Sequence, residues 1–224
     1  MSGSKRSNPL ALAVLVCLYE RPMHPYEVAQ TLRSRAKQES VRLNYGSLYA
    51  VVDGLERRGL IRARETVREG RRPERTIYEI TDPGAREASD WLSELLAVPA
   101  KEYPSFMAGL SFMGALPPEE VTAALSARAQ VLEFQLVQLD GVRRAAADAG
   151  LPRLFVVETE YEQRVMETEL AFVQELVASI ESGSLGGLDL WRSFFAGDDV
   201  LSKMEVQLGE PLALPREVST PPTA

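Results

Sequence analysis

The chain has 224 residues, 45% of them hydrophobic and 25% charged, enough apolar material for a buried core and too much for a disordered chain or a fibre. Its single cysteine and single histidine exclude an internal disulfide and a histidine-rich metal cluster, and the longest early apolar run, Leu10–Leu18, is about half of the roughly 20 residues that a bilayer span requires. The net charge of −7 is unevenly divided, because residues 1–86 hold sixteen Lys and Arg against ten Asp and Glu, and the remainder nine against twenty-two; a basic module able to meet phosphates is joined to an acidic one.

The first predicted helix is Leu10–Glu20. Lys5 and Arg6 precede it as in a signal peptide, but no small-residue cleavage site follows, so a cytoplasmic protein is expected. Cys17, among Val14, Leu15, Val16 and Leu18, reads as a buried, inert thiol. Pro22 and Pro25 flank Met23-His24 and mark a turn, with His24 capping or bracing the next helix and Pro25 at its first position. That second helix turns Val28, Ala29 and Leu32 inward and Gln30, Arg33 and Arg35 outward, and ends before Ser40. After an extended Val41–Leu43, Asn44–Gly46 opens a third helix with Leu48, Val51, Val52 and Leu55 at helical spacing and Gly59 as its C-cap.

Ile61–Val67 and Thr76–Thr81 predict two short strands around Arg68–Arg75. Gly70 permits the turn and Pro73 stiffens the strand entry, so the arginines protrude from a hairpin tip, which is the geometry of a wing. Thr81-Asp82-Pro83-Gly84 starts a fourth helix that carries Ala85, Ala88, Trp91, Leu92, Leu95 and Leu96 and ends near Pro99, with Trp91 a core or dimer contact.

Beyond Pro99 arginine becomes sparse and the elements lengthen. A short helix, Phe106–Met113, precedes a long one opened by Pro117-Pro118-Glu119-Glu120 and striped by Val121, Leu125, Leu132, Leu139 and Val142. Another, Leu154–Ile180, carries Tyr161, Val165, Phe172, Leu176 and Ile180. These stripes exceed what one short element can cover, so a second copy of the chain is expected against them. Ser182–Gly187 reads as a hinge, Leu188–Val206 as a helical or docking segment around Trp191, Phe194 and Phe195, and the part from Pro211 as a loose tail. The fold class is therefore mainly α, with a winged helix-turn-helix over 9–98, a helical dimerisation domain over 99–182 and an extension over 183–224.

A helix carrying Tyr45, Ser47 and Tyr49 at its start suits the major groove of duplex DNA, its hydroxyls meeting phosphates, with Tyr49 equally compatible with a place partly in the core. Arg71, Arg72 and Arg75 at the hairpin tip suit the backbone or minor groove beside it. Arg57 and Arg58, late in the helix, read either as solvated surface or as base-reading groups. Glu158, Glu162 and Glu169 have no matching histidine, nucleophile, phosphate cradle or metal-ligand set, so no catalytic residue, cofactor or metal is expected. The competing reading is a winged-helix protein-interaction module whose basic wing meets an acidic protein.

The chain resembles the PadR family of transcriptional regulators. The resemblance is carried by Leu12–Leu18 with Pro22-Met23-His24-Pro25-Tyr26-Glu27, by Asn44-Tyr45-Gly46-Ser47-Leu48-Tyr49, by Leu55–Ile61, by the wing Gly70–Tyr78 and by Thr81–Gly84, together about residues 9–86. Pro25 stands where many relatives have glycine. The resemblance implies a homodimeric regulator, usually a repressor, whose helical C-terminal domain dimerises and whose double-stranded DNA sites are imperfect inverted repeats. Tyr45, Ser47 and Tyr49 fall on the family's recognition-helix entry, and Arg71, Arg72 and Arg75 on its wing. The long helices resemble the larger PadR subgroup, and the segment after Gly186 is an extension. Relatives hold small hydrophobic ligands near the junction of their two parts; an effector is thus an expectation of the resemblance alone, since no ligand signature stands in the sequence.

Overall fold

The computed structural model describes residues 8–37, 40–67 and 75–196. It divides into two compact units, Met1–Glu102 and Tyr103–Ala224.

In the first unit, helix α1 (Pro9–Glu20) is the hub. Asn8 caps it, its Oδ1 accepting the Leu10 N–H at 3.0 Å, and Pro9 supplies a preset first turn. Leu10, Leu12, Val14, Leu15, Cys17 and Leu18 are all buried, because α1 packs against α2 (Pro25–Ser34), α3 (Tyr45–Arg57), α4 (Asp82–Ala97) and strand β2 (Arg75–Ile80). A helix covered on most sides needs no polar stripe, and each of its buried leucines contributes roughly 1.5–3 kcal/mol. Burial is also the main reason that the Cys17 thiol is pushed above its ordinary pKa.

Helix α2 starts with a reciprocal capping box. His24 Nδ1 accepts the Tyr26 N–H at 3.1 Å, and Glu27 Oε2 accepts the His24 N–H at 2.8 Å. Helix α3 ends at Gly59, whose φ of +68° and paired bonds, Gly59 N–H to Glu56 O and Leu60 N–H to Leu55 O, form a Schellman motif. The reversal carries Leu60 and Ile61 back into the core, where both are buried.

Strand β1 (Ile61–Val67) pairs antiparallel with β2, Ile61 opposite Ile80 and Ala63 opposite Tyr78, with a bulge between Ala63 and Glu65. A bulge bends its strand and adds local twist. Met23, in the proline-flanked turn, exchanges two 3.0 Å backbone bonds with Tyr78. This contact pairs Tyr78 on the free edge of β2, shortening the row of donors and acceptors that could invite another strand.

The second unit holds α5 (Ser105–Phe112), α6 (Pro118–Asp148), α7 (Val157–Glu181) and α8 (Leu188–Phe195). Val121 and Leu125 near the start of α6 share a buried cluster with Val173 and Ile180 late in α7, so the two helices run antiparallel. Leu188 of α8 completes that cluster. The expected stripes are only partly covered: Leu139 is half-buried, and Val142, Tyr161, Val165 and Phe172 are exposed. One facing helix buries one arc, and these side chains lie outside it.

Candidate nucleic-acid interface

Helix α3 has two distinct faces. Leu48, Val52 and Leu55 are buried, while Tyr45, Tyr49, Ala50, Asp53 and Arg57 are exposed, as the 3.6-residue period requires. The Asn44 side chain sets the start of the helix, its Oδ1 accepting the Ser47 N–H at 2.7 Å. That bond uses one of the backbone donors that a phosphate would otherwise take at the helix start, and leaves the hydroxyls of Tyr45, Ser47 and Tyr49 as the side-chain polar groups of this end. Ser47 is half-buried and the two tyrosines are exposed.

Tyr45 is fixed by two side chains of α2. Its ring stacks on that of Tyr26, with centroids 6.2 Å apart and planes 9° from parallel. The Arg33 guanidinium lies 4.7 Å from the Tyr45 ring centroid and donates to its hydroxyl oxygen. The hydroxyl, already accepting from Arg33, keeps its own proton for an acceptor such as a phosphate oxygen. Sequence reasoning does not single out Tyr26 and Arg33 as site residues. Their spacing, seven residues on one helix, is the available signal, since it puts both on one α2 face.

The positive charge of the N-terminal unit is partly committed. Arg35 makes a two-point pair with Glu20, Arg58 lies 3.3 Å from Glu87, and Arg62 Nε donates to Glu79 at 2.7 Å. These pairs are exposed or half-exposed and contribute little stability, but each cancels a charge that a count of arginines would assign to a ligand. Arg75 opens β2 in an exposed position, close enough to α2 that its charge lowers the pKa of His24, second to burial as a cause. Arg71 and Arg72, at the expected wing tip, lie outside the described residues.

Among the described residues no helix is long and apolar enough to cross a membrane, and no group of three His, Cys, Asp or Glu side chains could hold a metal ion.

Residues 14–90 match the Transcriptional regulator PadR-like family. The chain is similar in fold to Bacillus subtilis PadR in complex with operator DNA, with a TM-score of 0.63 and 18% identity over 76% of this chain and 98% of that one. It is similar also to Bacillus subtilis PadR in complex with p-coumaric acid, with a TM-score of 0.60 and 17% identity over 77% of this chain and 95% of that one. The protein smu.1604c from Streptococcus mutans UA159 gives a TM-score of 0.54 at 19% identity over 76% of this chain and 99% of that one. No curated protein matches the chain in sequence.

Proposed function

As the chain belongs, through residues 14–90, to the PadR-like family of transcriptional regulators, we propose that it is a homodimeric cytoplasmic repressor that binds an imperfect inverted repeat in double-stranded DNA. In this reading α3 enters the major groove, Tyr45, Ser47 and Tyr49 hold phosphates at its start, and Arg71, Arg72 and Arg75 secure the flanking backbone or minor groove. The observation that carries it is the exposed polar and aromatic face of α3 on a helix whose other face is locked into the core by Leu48, Val52 and Leu55. A rigid mount is what groove recognition demands, because misplacement of a reading side chain loses its bond.

Dimerisation accounts for the exposed apolar residues of the long helices, Val131, Phe134, Val137 and Val142 on α6 and Tyr161, Val165 and Phe172 on α7. A small hydrophobic effector that relieves binding is supported by the fold shared with a PadR that holds p-coumaric acid.

Selection of bound duplexes from a random pool by the full chain, followed by a salt series on the selected sequence, tests the reading. One recovered inverted repeat with steeply salt-dependent affinity is expected. Recovery of no sequence overturns it and favours the protein-interaction module.

A further inference from the structure

The second unit contains an apolar cavity of about 290 Å³ between α5 and the start of α6, walled by Phe106, Leu110, Met113, Leu116 and Leu125, with Arg128 at its edge. Ordered water needs polar partners that these walls do not offer. A small acid is poorly served too, because the Arg128 charge is already committed. Its guanidinium donates to Glu169 at 2.6 Å and lies 3.9 Å from the Phe106 ring centroid. What fits is an occupant whose entering side chains are apolar and uncharged.

The chain itself leads to the cavity. Helix α8 is anchored beside it, with Trp191 Nε1 donating to the carbonyl oxygen of Leu116 at 2.9 Å and Leu188 buried in the cluster that contains Leu125. Phe195, at the end of α8, is one turn further along, about 6 Å by helical rise. The five residues from Phe195 to Val200 reach up to about 18 Å more. Residues 197–224 lie outside the described residues, and their sequence carries a pattern. Val200, Leu201, Met204 and Leu208 fall within one arc of about 100° at helical period, while Ser202, Lys203, Glu205 and Gln207 fall outside it together with one apolar residue, Val206.

We propose that Val200–Leu208 docks into this cavity of its own chain, seating its apolar side chains against Phe106, Leu110 and Met113. The short connection favours the same chain over a second copy, since the effective concentration of a segment tethered this closely is in the millimolar range.

Cysteine cross-linking in the full chain tests the docking, using Leu110→Cys with Met204→Cys, and Leu110→Cys with Thr220→Cys as the control. Cys17 is buried, which keeps it out of the reaction. Under mild oxidation the first pair should link at single-chain mass at least about tenfold faster than the control, more than the roughly fivefold that its shorter tether alone would give. Equal rates, or a link that appears only at doubled mass, overturn the proposal. A second measurement uses the uncharged fluorescent probe N-phenyl-1-naphthylamine. Met204→Asp with Leu208→Asp should raise probe binding several-fold at unchanged helicity, and probe binding equal to that of the parent chain also overturns it.

Discussion

The first turn of α4 passes so close to the end of α3 that a Cβ placed on Gly84 would lie 1.9 Å from the carbonyl oxygen of Leu60. Thr81 fastens the same junction, its hydroxyl lying 2.7 Å from the Gly59 carbonyl oxygen and 3.0 Å from that of Leu60 while accepting the Gly84 N–H at 3.2 Å. The two ends of the hairpin and the helices before and after it therefore meet at one point.

Gly84→Ala is expected to destabilise the N-terminal unit by about 3 kcal/mol or more, because the obstructing atom belongs to the backbone and cannot swing aside. Gly59→Ala meets no neighbour within 4 Å but keeps a φ of +68°, so strain alone should cost it about 1 kcal/mol. Urea unfolding of both variants checks the order, and a Gly84→Ala midpoint above that of Gly59→Ala contradicts this account.

His24 gives the fold a pH dependence of known sign. Burial first, then the charge of Arg75, holds its pKa below the ordinary 6.5, with Glu27 opposing them. The unfolded chain thus binds this proton more readily, and the stability that His24 contributes is complete above about pH 6.5 and lost as pH falls through the lowered folded-state value. Protonation at Nδ1 also removes the acceptor for the Tyr26 N–H. His24→Asn keeps a capping side chain without the titration, so the stability difference between parent and variant should shrink or reverse on acidification. A difference that stays constant across that range rules out the linkage.

Neutralising Arg71, Arg72 and Arg75 together should weaken binding to specific and nonspecific duplexes alike. For each phosphate that an arginine no longer neutralises, the slope of log affinity against log salt should become shallower by about 0.9 per copy of the chain. Isothermal titration at several salt concentrations measures it, with circular dichroism confirming the fold. An unchanged slope removes the wing from the interface.

Phe134 and Phe172 are 66% and 47% exposed within one chain, which makes them probes of the proposed dimer. Phe134→Asp with Phe172→Asp should leave helicity intact and halve the mass measured by light scattering, since each substitution puts a charge in a desolvated interface. A double variant that keeps the parent mass excludes this face.

The proposed dimer would present its two α3 helices to one face of the duplex, so half-site centres should lie about 10 to 10.5 base pairs apart or at a whole-turn multiple. Inserting five base pairs between selected half-sites should sharply reduce affinity, and inserting ten should recover part of it. Equal affinity for the parent site and both insertions refutes phased, two-headed recognition.

The sequence by itself determined the order and nature of the elements, because their signals are local. Asn44 and Thr81 each cap the helix that follows, Gly59 closes α3, and the apolar period of α3 selects its buried Leu48, Val52 and Leu55. The motif order from Pro22 to Gly84 pointed to the family that residues 14–90 match. Relationships between elements were decided only by the tertiary structure, since they depend on residues far apart in sequence. No local rule pairs Met23 with Tyr78 across the open edge of β2, lays Arg33 and Tyr26 on Tyr45, or brings Leu60 against Gly84. Charge shows the same division. Arginines can be counted along the chain, but Glu20, Glu79 and Glu87 cancel Arg35, Arg62 and Arg58 only where the fold brings them together, because these pairings act over a few ångströms.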